Sequence, residues 1–136
     1  MNEYPFTSLV TLALVLLGVL LAKRVSTARL DFSQSDQPSV TQHSVEIYSD
    51  PKFMIAFRNQ MNLLEHLILF MPTLWIFAVG VSDGLAAIVG LGYFIGRVLY
   101  ARSYPHSHRV GFMLAWVSML VLMIGAVASS VYQLIA

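Results

Sequence analysis

Four stretches of the chain are predominantly apolar, the first and fourth with almost no polar interruption, and most other polar residues collect between them. Residues 6–22 carry no charge, and their polar groups are only Thr7, Ser8 and Thr11. A hydroxyl on a helix can bond back to a carbonyl one turn earlier. Three further stretches follow at about 54–81, 85–104 and 110–135, the last again without a charge. A bilayer core about 30 Å thick is crossed by about 20 residues of helix. Each stretch therefore predicts a transmembrane helix, and together they predict one integral membrane domain over 1–136, an all-α four-helix bundle. A soluble bundle would need a polar stripe on every helix, and the first and fourth stretches have none.

The connections are unequal. Residues 23–52 read as a long polar loop, with Ser33, Gln34, Ser35, Asp36, Gln37 and Pro38 in a row. Residues 81–84 form a tight Val-Ser-Asp-Gly turn. Residues 104–109 are short, and Pro105 ends the third helix. The first stretch reads as a retained span rather than a cleaved leader. Glu3 is the only charge before it, and Lys23 and Arg24 stand where small residues would mark a cleavage site.

Composition agrees with this picture. Of 136 residues, 57% are hydrophobic and 11% charged, against about 45–50% and about 25% in an average soluble domain. A net charge of +1 disfavours nucleic acid as a partner. With no Cys there is no thiolate metal site and no cysteine nucleophile. Charge also predicts orientation. All eight basic residues (Lys23, Arg24, Arg29, Lys52, Arg58, Arg97, Arg102 and Arg109) belong to one side of a four-span chain, and the other side has Glu3 and Asp83. Basic loops stay in the cytoplasm, which puts both termini on the non-cytoplasmic side.

Several polar residues lie inside the spans, where each buried charge costs about 2.5–3.5 kcal/mol on insertion scales. In the second span Arg58, Asn62 and Glu65 fall at i, i+4 and i+7 on one stripe, with Met61, Leu69 and Pro72, and Gln60 lies nearly opposite. Polar groups facing two ways suggest contact with a second subunit. A structural Arg58–Glu65 ion pair is the simpler alternative. In the third span Arg97, Tyr100 and Tyr104 share a face that Tyr93 continues, while Arg102 points elsewhere; an interfacial aromatic belt would also explain the tyrosines. Arg109 opens the fourth helix. Three arginines and Arg29 against one Glu65 make an anion site, and guanidinium forks match carboxylates. The ligand expected is small, polar and multiply carboxylated, with an ammonium for Glu65. His106 and His108 read as solvated loop residues, no metal site is expected, and Gly92-xxx-Gly96 permits close helix approach.

Arg58-x-Gln60-x-Asn62-x-x-Glu65, with a proline later in the same helix, resembles the signature of the MAPEG superfamily, the membrane-associated proteins in eicosanoid and glutathione metabolism. The segment from Gly96-Arg97-Val98-Leu99-Tyr100 to Tyr104 is similar to that family's third helix, and Thr27-Ala28-Arg29 with Phe32 to the stretch after its first. The resemblance implies a microsomal glutathione S-transferase-like protein, a left-handed bundle assembled as a homotrimer. It implies glutathione as co-substrate, without metal, held by Arg58, Asn62, Glu65, Arg97, Tyr100 and Tyr104, with Gln60 and Arg29 reaching across a subunit boundary. Arg109, or alternatively Arg102, would act at the sulfur, with Tyr100 as a second catalytic group. The function implied is a transferase or peroxidase attacking lipophilic electrophiles or lipid hydroperoxides that arrive through the membrane lipid. A non-catalytic lipid-binding or adaptor protein on the same scaffold is the alternative. A small channel or transporter fits less well, because the polar cluster stays on one side of the membrane.

Overall fold

A computed structural model describes residues 3–34 and 45–136; most of the polar run at 33–38 lies outside them. The described residues form four helices, α1 (Pro5–Ser33), α2 (Pro51–Gly80), α3 (Asp83–Ser103) and α4 (Arg109–Ile135), with a 3-10 turn at Val45–Ser49 before α2. All four are long and apolar enough to cross a membrane, as in an integral membrane protein.

The helix starts follow from local chemistry. The Asp50 carboxylate accepts from the Phe53 amide at 2.8 Å, and Pro51 follows at the first helical position. Ser82 caps α3. No side chain of its own caps α1; instead the Asp83 carboxylate accepts from the Phe6 and Thr7 amides at 3.0 and 2.8 Å. One acidic residue thus ties the starts of α1 and α3 together. Of the α1 hydroxyls, Ser8 bonds back to the Tyr4 carbonyl, Thr7 reaches the Asp83 carbonyl instead, and Thr11 Oγ1 has no partner. α2 runs unbroken through Pro72, beside which the Thr73 hydroxyl donates to the Leu69 carbonyl.

One expectation is corrected. α1 does not stop where the apolar run stops: it continues through Lys23 to Ser33, so the first part of the expected 23–52 loop is helix. The reason is a stripe rather than a span. Val25 is buried with Ile47 and Phe53, and Ala28 and Phe32 pack on the same cluster. These lie at i, i+3 and i+7, so one face keeps packing after the other has turned polar.

The core lies along the bundle axis, with Leu14, Phe70, Leu74, Tyr93 and Leu122 fully buried. α3 and α4 meet along a seam of small residues. A Cβ on Gly92 would meet Ser118 Oγ at 2.9 Å, and one on Gly96 would lie 2.6 Å from the Ala115 backbone nitrogen. One on Gly111 would collide with the Tyr100 backbone nitrogen. The close approach expected for Gly92-xxx-Gly96 is therefore made against Gly111, Ala115 and Ser118 of α4. Outward faces are apolar: Leu9, Ile68 and Ile124 are 64, 73 and 67% exposed. Large continuous patches of this kind belong against lipid or another subunit.

Candidate functional site

The site lies where α2, α3 and the start of α4 meet, at the end of the bundle away from Asp83. Asn62 Nδ2 donates to the Tyr100 hydroxyl oxygen at 3.0 Å. One turn earlier on α2, Asn59 Nδ2 donates to the Ala101 carbonyl at 2.9 Å. These two bonds set the register between α2 and α3. Tyr100 then stacks on Tyr104, with ring centroids 5.5 Å apart. The Arg97 guanidinium carbon lies 4.9 Å from the centroid of the Tyr100 ring, a cation–π contact.

Arg97 is only 2% exposed, and its Nε finds no acceptor. It makes no ion pair with a described residue. Burying a cation without a carboxylate is costly, and such groups mark functional sites by default. The Tyr100 oxygen accepts from Asn62, so its own proton remains available to another acceptor. Within one chain, then, a guanidinium, a phenol donor and a carboxamide converge. That set recognises an anion. Among the described residues no group of three or more His, Asp or Glu is placed to hold a metal.

The other expected residues are not gathered here. Arg58 and Glu65 are exposed on the outer face of α2, beside Leu69 and Pro72, and form no ion pair with each other. The structural ion pair is therefore absent. Gln60 is half-buried and makes no side-chain hydrogen bond to a described residue. Arg29 sits on the extension of α1, its guanidinium carbon 5.5 Å from the Phe53 ring centroid; Phe53 is about 13 Å from Asn62 along α2 at 1.5 Å per residue. Arg109 is the exposed first residue of α4. Arg102 is exposed on the opposite side of α3, facing α1 rather than the cluster.

Three residues take parts that the sequence reading missed. His108 is not simply solvated. It is half-buried, its ring edge-on to Tyr100 at 5.2 Å and 5.7 Å from Tyr104, and Nδ1 lies 3.0 Å from the Pro105 carbonyl. No spacing rule reveals this, because it depends on how the turn after Pro105 folds back. Asn59 is 5% exposed; its signal was its place on the stripe of Leu63 and Phe70, the buried face of α2. Tyr93 continues the Arg97 face as its spacing predicts, and it also stacks on Phe70 at 3.6 Å deeper in the core.

Comparison with known proteins finds relatives over most of the chain. A chain from Synechocystis, an uncharacterized protein, is 33% identical over 136 residues, covering 98% of this chain and 93% of that one. The leukotriene C4 synthase of Mus musculus is 34% identical over 106 residues, covering 78% of this chain and 65% of the mouse protein. That of Rattus norvegicus is 34% identical over 111 residues, covering 80 and 69%. Residues 7–128, which contain every site residue named above, match the MAPEG family, and the chain belongs to that family.

Proposed function

We propose that this protein is a glutathione-dependent membrane transferase or peroxidase that works as a homotrimer. The observation that carries the reading is Arg97: a buried guanidinium with no ion pair to a described residue, against Tyr100, whose hydroxyl accepts from Asn62. The donor set fits an anionic tripeptide, and leukotriene C4 synthases among the relatives support the choice. Arg97, Asn62, Tyr100 and Tyr104 hold glutathione from one subunit. Arg58 and Glu65 are exposed on a lone chain and complete the site once a neighbour covers the outer face of α2, with Gln60 and Arg29 reaching across that boundary. The basic end faces the cytoplasm and both termini the opposite side.

Glutathione supplies a thiol, whose free pKa is near 8.5 and whose thiolate is the nucleophile. Arg109 lowers that pKa without losing a proton of its own. Each unit of lowering corresponds to about 1.4 kcal/mol of preferential thiolate binding. Tyr100 donates a hydrogen bond to the sulfur and keeps its proton, and the thiol proton leaves to water. In conjugation a carbon–sulfur bond forms and the bond to the leaving group breaks, its electron pair departing with that group. The apolar outer faces let a lipophilic electrophile approach through lipid.

The test is glutathione titration of detergent-purified protein, read by thiolate absorbance in the near ultraviolet. Saturable binding with a thiolate signal at neutral pH is expected. No binding at millimolar glutathione would leave the non-catalytic lipid-binding protein as the better account.

A further inference from the structure

A groove of about 340 Å³ runs between α1 and α3, on the side of the bundle away from the Tyr100 cluster. Leu17, Leu21 and Ala101 are buried in its floor, and Phe94 and Val98 pack on them. It extends from Ala13 to Arg24, about 16 Å along α1 at 1.5 Å per residue. One end is apolar. The other carries Arg24 from one wall and Arg102 from the opposite wall. Both arginines are exposed, and neither has a hydrogen bond or an ion pair with a described residue. Two like charges facing one cleft repel each other unless an anion lies between them.

Their level along the bundle identifies the anion's source. Arg24 comes just after the uncharged stretch of α1, and Arg102 is in the last turn of α3, so both stand where a bilayer's headgroups begin. Arginines bind phosphate oxygens through paired donors, and basic pockets between transmembrane helices bind anionic headgroups. On α3, Arg102 is turned about 140° from Arg97 around the helix, so this cleft and the anion site do not share a face.

We propose that the groove between α1 and α3 holds one anionic glycerophospholipid, with an acyl chain on Leu17, Leu21 and Phe94 and the phosphate between Arg24 and Arg102. Any lipid tail wets an apolar wall. The paired guanidiniums select the negative headgroup.

The test titrates delipidated full-length protein in detergent with dioleoyl phosphatidylglycerol and with dioleoyl phosphatidylcholine, and reads the first bound lipid by native mass spectrometry. The phosphatidylglycerol should bind roughly tenfold more tightly or better, from about 1 kcal/mol per arginine near the surface. The R24A/R102A double variant should bind the two lipids alike. Ala13→Phe, which fills the far end of the groove and keeps both arginines, should weaken phosphatidylglycerol binding. Excess glycerol phosphate should not compete. Equal binding of the two lipids by the unaltered protein would overturn the proposal. So would a preference that survives R24A/R102A, unchanged binding in A13F, or displacement by glycerol phosphate, which would reveal a plain anion site. Glutathione binding, measured separately on the same variants, keeps a failure here distinct from a failure of the proposed function.

Discussion

At the scale of single residues, the proposed function gives Arg97 to binding and Arg109 to chemistry. Arg97 is buried, so its loss would remove charge-assisted bonds to glutathione from a desolvated place. Hydrogen bonds to charged groups are worth about 1.5–3 kcal/mol. Arg97→Ala is therefore expected to weaken glutathione binding by about ten- to a hundredfold, measured by titration, and Arg97→Lys to restore only part of it. Arg109 is exposed at the start of α4, and the proposed function puts it at the sulfur. Arg109→Ala should lower kcat more than it raises KM, whereas Arg58→Ala should mainly raise KM. Equal turnover in both variants would refute the assignment. Asn62 and Tyr100 share one hydrogen bond, so a cycle of Asn62→Ala, Tyr100→Phe and the double variant should be non-additive in kcat/KM. Of this cluster Asn62, Arg97, Tyr100 and Tyr104 were legible as residue types with helical spacing inside a span. His108 was not, since its contact with both tyrosines is made by a turn and not by a repeat.

At the scale of elements, the α3–α4 seam determines where Tyr100 stands. The Tyr100 backbone nitrogen rests directly on Gly111, and Gly96 rests on Ala115. A methyl group at Gly111 has backbone on its far side and nowhere to go. Overpacking of this kind costs about 1–3 kcal/mol, so Gly111→Ala should lower the thermal midpoint in detergent and weaken glutathione binding together. A fall in stability with full affinity would show that the seam supports the fold alone. At the other end Asp83 is the shared acceptor for the first amides of α1. Asp83→Ala should speed hydrogen exchange at Phe6 and Thr7 without touching the site. Hydropathy made the four helices legible, because lipid demands long uncharged runs. It could not show where α1 ends. Hydropathy marks the edge of the bilayer, whereas the helix ends where the stripe of Val25, Ala28 and Phe32 stops packing. Asp83 escaped for a related reason: a turn residue shows its own helix start in the sequence, but not the second helix it serves.

At the scale of the whole molecule, the lone chain gathers only four of the eight expected binding residues. Asn62, Arg97, Tyr100 and Tyr104 converge, while Arg58, Glu65, Gln60 and Arg29 lie elsewhere. The two-sided pattern of α2 was readable in the sequence, but periodicity gives direction around a helix and not what stands opposite. The proposed homotrimer, a closed ring, would resolve it: each subunit would give one face to its own site and the other to its neighbour's. This makes a prediction that no single-chain site shares. Arg97→Ala weakens one half, and Gln60→Ala with Arg29→Ala the other, so at glutathione well below the weakened affinities each homo-oligomer should be nearly inactive. Co-expressed at equal levels, the two chains assort at random. A site is whole only where an intact face of one chain meets an intact face of the other, which occurs at roughly a quarter of the boundaries in a ring. Conjugation by the co-purified mixture should therefore recover to roughly a quarter of the unaltered rate, while mixing after separate purification should recover nothing until subunits exchange. If co-expressed protein stays at the level of either parent, the site is built within one chain, and the polar outer face of α2 needs a different explanation.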